Sequence, residues 1–240
     1  MIPPPESAMV LAAGLGTRLR PVTDQVPKPL VPVAGKALID HVLDRLAAAG
    51  VRRVVVNLHY KAELIERHLA TRRDVAISFS REDRLLDTGG GVAKALPLLD
   101  DAFYVVNSDV LWLDSAITAL TRLARAFDPA RRDGVLLLQR TTNAVGYAGD
   151  GDFLLDQVGR LRRRGEGEVA PHLFAGIELL HRRLFDGAPA GAFSLNPLWD
   201  KAIAAGRLGG IVHDGEWFHV GTPAGLALTE ARLATQRVER

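Results

Sequence analysis

The sequence predicts an α/β fold in which a mostly parallel sheet is flanked by helices, with a smaller portion of the second half lying over it as a lid. Three observations predict it. Short β-branched apolar runs alternate with longer stretches of helical periodicity, which is the pattern of βαβ units. A glycine-rich turn follows the first such run, where open parallel sheets collect their ligands. No solenoid-length repeat or low-complexity linker interrupts the 240 residues, so the chain reads as one domain over 1–240, with a core at 8–140 and a second portion with a C-terminal helix at 141–240.

In chain order, residues 8–12, 54–58, 75–78, 103–107 and 134–139 read as strands, and residues 37–49 and 62–70 carry apolar side chains at helical spacing. Gly50 suits the left-handed residue that ends the first of these helices. Beyond Gln139 the predicted strands are 153–158, 175–180 and 216–220, and the predicted helices 195–205 and 224–234. Residues 1–7 read as a loose leader. The opening has no basic segment and only a short apolar run, so neither a signal peptide nor a membrane span is expected, and the expected location is the cytoplasm.

Hydrophobic residues make up 48% of the chain and charged residues 24%, enough apolar material for a packed core, which argues against global disorder. The net charge of +2 is spread over short basic groups such as Arg72-Arg73 and Arg162-Arg163-Arg164, so no nucleic-acid partner is expected. The absence of cysteine excludes disulfides and thiolate metal sites.

The chemistry gathers behind two strands. After the first comes Ala12-Ala13-Gly14-Leu15-Gly16-Thr17-Arg18, whose small residues let backbone N–H groups approach an anion, although such glycines equally often only make a turn. Arg18 offers a planar fork of donors, and Lys28 is a point charge stiffened between Pro27 and Pro29. Taken together the two cations favour phosphate. The strand at 103–107 runs into Asn107-Ser108-Asp109, whose carboxylate is either a turn or cap residue or a hard oxygen ligand for Mg²⁺. His41, His59 and His68 have no ligand spacing and read as packing or surface residues, as Trp112 and Trp199 read as packing.

The stretch LAAGLGTRLRPVTDQVPKPLVPVAGKALI resembles the signature of the sugar-phosphate nucleotidyltransferases, a Rossmann-like family that joins a nucleoside triphosphate to a sugar 1-phosphate. It is neither a dinucleotide fingerprint nor a P-loop. The resemblance implies that Ala12, Ala13, Gly14, Gly16, Thr17, Arg18 and Lys28 meet the triphosphate, with Lys28 nearest the reacting phosphorus, and that Asp109 holds Mg²⁺. It implies that Thr88, Gly89, Gly90 and Gly91 lie against the base, that Asn107 and Gly146 touch nucleotide or sugar, and that Glu168 and Gly176 line the sugar pocket. In the family a second metal-binding aspartate stands in a W-x-D-x-G-T pattern. Here the match is Trp217-Phe218-His219-Val220-Gly221-Thr222, so His219 replaces it, and three roles stay open for it: a softer metal, a charged phosphate contact, or a hydrogen bond. The segments VPVAGKALID, DTGGGVAKALPLL and FAGIELLHRRLFDGAPAGAFSLNPLWDKAIAAGRL resemble the compact N-acetylmuramate 1-phosphate uridylyltransferases of that family, which implies UTP and N-acetylmuramate 1-phosphate as partners and a place in peptidoglycan recycling. Guanylyltransferases of mannose 1-phosphate and thymidylyl- or uridylyltransferases of glucose 1-phosphate share the skeleton, and a regulatory protein that only binds an NDP-sugar is the non-enzyme alternative.

Overall fold

The computed structural model describes residues 3–238 of the chain. In order, the elements are β1 (Ser7–Leu11), α1 (Val22–Gln25), β2 (Pro32–Val33), β3 (Lys36–Ala37), α2 (Leu38–Ala48), β4 (Arg53–Leu58), α3 (Ala62–Leu69), β5 (Ala76–Arg81), α4 (Asp87–Ala95), β6 (Ala102–Asn107), β7 (Val110–Leu113), α5 (Ala119–Ala126), β8 (Gly134–Arg140), β9 (Ala144–Val145), β10 (Phe153–Leu155), β11 (Leu161–Arg163), β12 (His172–His181), α6 (Asn196–Ala204), β13 (Leu208–Val212), β14 (Glu216–His219) and α7 (Pro223–Val238).

A nine-stranded sheet carries the fold. Strands β5, β4, β1 and β6 lie side by side, all parallel, and β12 runs antiparallel between β6 and β8, which in turn pairs in parallel with β13. Strand β1 is buried on both faces, as its unbroken apolar run requires of a central parallel strand. Its alternate residues feed different cores. Ala8 and Val10 pack with Ile39, Val42 and Leu43 of α2, whereas Met9 packs with Val92 of α4 and Trp199 of α6 on the other face. Helix α2 buries Leu38, Ile39, Val42, Leu43 and Leu46, one stripe at helical spacing, and Gly50 leaves it at φ 89°.

Strand β1 is flanked by β4, the next main-sheet strand in the chain, on one side and by β6 on the other, so the crossovers diverge there and open a crevice at the carboxyl ends of β1 and β6. A three-stranded sheet, β7-β14-β9, stands beside that crevice. Its antiparallel register sets His219 opposite Val110, the residue after Asp109. A third apolar cluster, including Leu19, Val31, Leu38, Leu111 and Phe218, fixes this small sheet to the loop after β1.

Several boundaries differ from the sequence reading. The second half is more than a cover, because β12 is built into the main sheet. The strand predicted at 153–158 stops at Leu155, where Asp156 Oδ1 accepts hydrogen bonds from the Val158 and Arg160 N–H groups and turns the chain. Residues 1 and 2 of the expected leader lie outside the described residues; Ser7, at its end, is fully buried and opens β1. Strands β7 and β13 and helix α5, with Thr118 as its cap accepting from Thr121 N–H at 3.2 Å, add to the predicted set. Among the described residues no helix is long and apolar enough to cross a membrane.

Candidate active site

The crevice is a cavity of about 510 Å³ walled by the loop after β1, by Lys28 and Pro29, by Asn57 and Glu82, by Thr88 at the start of α4 and by Asn107, Ser108 and Asp109 after β6. Its loop begins with a polar joint. Ala12 N–H donates to Asn57 Oδ1 at 2.7 Å, Asn57 Nδ2 donates to Glu82 Oε1 at 2.7 Å, and Glu82 Oε2 accepts from Leu86 N–H at 2.9 Å. Four elements are thereby tied at one point. The same bonds commit the Ala12 amide, so anion contacts fall to the amides that follow it.

Gly16 is where the loop turns. Its φ of 66° belongs to the left-handed region, and a Cβ there would stand 2.9 Å from Thr23 Cγ2 and 3.2 Å from Lys28 Cβ. Thr23 donates its hydroxyl to Gly16 C=O at 2.9 Å, which locks the turn. Gly14 has open space instead, so its lack of a side chain leaves the cavity wall uncovered. Thr17 and Arg18 open a short 3₁₀ turn at the rim, both exposed and both lining the cavity.

Lys28 is 8% exposed, and its Nζ donates to Asp109 Oδ2 at 2.6 Å. The cation that follows the glycine loop and the carboxylate that follows β6 therefore meet across the crevice floor. Asp109 is held there because Ser108 donates both its N–H (3.1 Å) and its hydroxyl (2.7 Å) to Leu11 C=O, joining the ends of β1 and β6. His219 arrives through the small sheet. Burial lowers the pKa of its imidazole from the ordinary 6.5; the Asp109 charge opposes that shift, and Lys28 and Arg18 add to it. Burial thus favours the neutral form of the ring.

Mg²⁺ is usually bound through one or two carboxylates together with substrate phosphates. Among the described residues no group of three or more His, Cys, Asp or Glu converges, and Asp109 offers one carboxylate at the cavity. That donor set fits a metal delivered with nucleotide phosphates and does not fit a complete protein cage.

Of the residues predicted from the sequence, Ala12, Ala13, Gly14, Gly16, Thr17, Arg18, Lys28, Thr88, Asn107 and Asp109 all line the cavity. Gly89, Gly90 and Gly91 lie behind the wall. Gly90 N–H donates to Phe193 C=O at 3.0 Å, a Cβ on Gly90 would run into Gly191 C=O, and one on Gly91 would stand 2.8 Å from Asn57 Nδ2. Gly146 backs onto the His219 carbonyl, and Gly176, at φ 75°, onto Val110 and Asn107. Glu168 is outside the cavity: Arg162 donates to it at 2.6 and 2.8 Å, and Gly165 N–H at 2.9 Å, which together hold its pKa down to about 2. The histidines without ligand spacing bond locally, His41 with Val33 C=O, His59 with Glu82 C=O and His68 with Asp40. Trp112 and Trp199 are buried. Asn57, Glu82, Asp87 and Ser108 line the cavity as well and were not singled out. Asn57 stands one residue before the end of β4 and Asn107 ends β6, and a polar residue near the carboxyl end of an apolar strand was the available signal.

The comparisons with known proteins agree with this geometry. The nucleotidyl transferase family profile matches residues 7–147. N-acetylmuramate alpha-1-phosphate uridylyltransferase of Caulobacter vibrioides is 46% identical over 96% of this chain and 98% of its own length, and the protein of the same name from Neisseria meningitidis is 37% identical over 93% and 96%. The crystal structure of HddC from Yersinia pseudotuberculosis complexed with GMP-PN superposes with a TM-score of 0.74 at 20% identity, covering 95% of this chain and 99% of that one, which is a likeness of fold. A profile that spans more than half of the sequence, and relatives that align with it almost end to end, show that this chain belongs to the nucleotidyl transferase family.

Proposed function

We propose that the protein condenses UTP with N-acetylmuramate 1-phosphate to give UDP-N-acetylmuramate and pyrophosphate. The observation that carries the reading is the Lys28–Asp109 pair at 2.6 Å on the floor of a glycine-walled cavity, which puts a cation and a carboxylate where a triphosphate would lie. The choice of base and sugar is supported by the names of the two full-length relatives.

In this reading a phosphate oxygen of the sugar 1-phosphate attacks the α-phosphorus of UTP, the bond from that phosphorus to the β-phosphate oxygen breaks, and pyrophosphate leaves with the electron pair. No proton has to move, because the phosphate monoester is already anionic. Lys28 neutralises charge on the reacting phosphate, and the amides after Ala12, with Arg18 at the rim, hold the departing pyrophosphate. Mg²⁺, bound by Asp109 and the nucleotide phosphates, would add further charge neutralisation at the same place. His219 stands near that group, where burial favours an uncharged ring that could serve as a ligand or hydrogen-bonding partner. Thr88 and Asn107 face the nucleotide, with Gly89, Gly90 and Gly91 supporting the base wall and Gly146 and Gly176 backing the sugar side. The reading carries with it a cytoplasmic location, where nucleoside triphosphates are made, and a role in reusing cell-wall sugar.

The test is a matrix of nucleoside triphosphates against sugar 1-phosphates in the presence of Mg²⁺, scored for pyrophosphate. The largest signal is expected for UTP with N-acetylmuramate 1-phosphate. Release confined to GTP with mannose 1-phosphate would overturn the substrate, and tight NDP-sugar binding without pyrophosphate from any pair would overturn the reaction.

A further inference from the structure

Asp109 is the carboxylate placed to hold a metal beside nucleotide phosphates, yet its Oδ2 already accepts from Lys28 Nζ at 2.6 Å. Among the described residues that ammonium is the carboxylate's only hydrogen-bond or ion-pair partner, and the carboxylate is the ammonium's only one. Glu82, another carboxylate on the cavity wall, is committed through both oxygens, to Asn57 Nδ2 and to the Leu86 N–H.

The two sides of the pair differ in what can move. The main chain of Lys28 is fixed, because its carbonyl accepts from Val31 N–H at 3.1 Å in a 3₁₀ turn and Pro27 and Pro29 flank it. Beyond Cβ its stem is unbranched and flexible, so Nζ can swing while everything behind it stays in place. Nζ carries three N–H donors and Asp109 takes one, which leaves two for phosphate oxygens in the same cavity. Asp109 is tied to the end of β1 through the bonds from Ser108 to Leu11 C=O, and its side chain is 30% exposed, so an ion can reach it once the ammonium steps aside.

While Lys28 holds Asp109 the pair is neutral and has little to offer a dication, which itself gives up water reluctantly. An ion on Oδ2 would have to displace the ammonium outright. One on Oδ1 would lie close to it, like charge against like in a partly buried site.

We propose that Lys28 is a placeholder for the metal: it masks Asp109 in the free protein and uncovers it on passing to nucleotide phosphates, so that a divalent ion is taken up together with nucleotide and not before. The inference rests on the proposed reaction in one respect, that a triphosphate is what draws Lys28 away; the masking itself does not. By linkage, whatever factor the nucleotide adds to metal affinity, the metal adds to nucleotide affinity. When the phosphates depart, Lys28 returns to Asp109 and the ion leaves with them.

Mn²⁺ alone is the probe, titrated into the full chain with no nucleotide present and read from the paramagnetic broadening of the backbone amide signals of positions 108 and 109. Lys28→Met should bind it at least about tenfold more tightly than the native protein, and Lys28→Arg, which keeps the charge, as weakly as native. Adding Asp109→Asn to Lys28→Met should abolish the gain. Binding by Lys28→Met no tighter than native would overturn the proposal, as would an equal gain in Lys28→Arg or a gain that survives Asp109→Asn. Should the methionine variant fail to fold, Lys28→Gln carries the same comparison. Because no nucleotide enters this titration, the two claims fail separately: unchanged Mn²⁺ affinity in a protein that releases pyrophosphate sinks the masking, and tighter Mn²⁺ binding by Lys28→Met of a protein that releases none from any substrate pair sinks the reaction.

Discussion

Replacing Lys28 by methionine keeps most of the side-chain volume and removes only the charge. In the native site that charge lies 2.6 Å from Asp109 Oδ2, with side-chain exposures of 10% for Lys28 and 30% for Asp109. Two effects follow, and their sizes separate them. The partly exposed Asp109 regains water when its partner is lost, so the folding cost falls well below that of a fully buried broken pair and should be about 1 kcal/mol. In a domain of this size that is a drop of about 2–4 °C in melting temperature. In the proposed reaction the same ammonium lies at the reacting phosphate, where a lost electrostatic contact costs about 2.7–4 kcal/mol, or about 10²–10³ in kcat. Lys28→Met should therefore unfold nearly as the native protein does and release pyrophosphate at least about a hundredfold more slowly at saturating substrate. Thermal unfolding and continuous pyrophosphate detection on one preparation make the comparison. A variant that folds normally and keeps kcat within about threefold of native would remove Lys28 from the chemistry.

Gly16→Ala forces a left-handed backbone onto alanine, at about 1 kcal/mol, and presses a methyl group against Thr23 and the Lys28 stem; kcat should fall together with stability, and native kinetics would refute the role given to that turn. Asn57→Leu removes the acceptor of the Ala12 amide and the donor to Glu82, so the KM for the nucleotide should rise with a stability loss of about 2 kcal/mol, measured by urea unfolding beside steady-state kinetics; an unchanged KM would show that the loop holds its shape without the joint. Glu178, 1% exposed in β12, accepts from Trp199 Nε1–H at 3.0 Å, and burial raises its pKa well above the ordinary 4.5. The folded state then binds the extra proton, so this group subtracts stability as pH rises from 4.5 towards the raised value, by up to about 1.4 kcal/mol per pH unit. Glu178→Gln should flatten that slope in denaturant titrations between pH 5 and 8, and parallel curves for the two proteins would contradict it.

Reading the sequence picked out residues that the structure brings to one crevice because the patterns that mark them are local. A β-branched strand followed by small residues, and another followed by Asp109, are patterns contained within a dozen residues. The joint of Asn57 and Glu82 was hidden for the opposite reason: each residue looks ordinary beside its neighbours, and their link depends on β4, β5 and the first loop being adjacent in space. Strand β13 escaped notice because Leu-Gly-Gly-Ile-Val carries two glycines, which weaken strand propensity, and it forms only because β8 offers a parallel edge. The glycines of α4 drew attention as a ligand wall, while the structure also gives them the task of admitting the 191–193 backbone. Glu168 illustrates a further limit, since a carboxylate near a proposed pocket says nothing about the arginine six positions earlier that has already claimed it.

The pairing of β7 with β14 divides authorship of the candidate site. The glycine-lined wall is composed by the first half of the polypeptide, while the placement of His219 opposite Val110 is dictated by a hydrogen-bond ladder drawn from near the other terminus. A change at position 219 thus alters the neighbour of Asp109 while the glycine loop keeps its shape, because the ladder that sets that side chain belongs to the small sheet and the loop is fixed by its own bonds to Thr23 and Asn57.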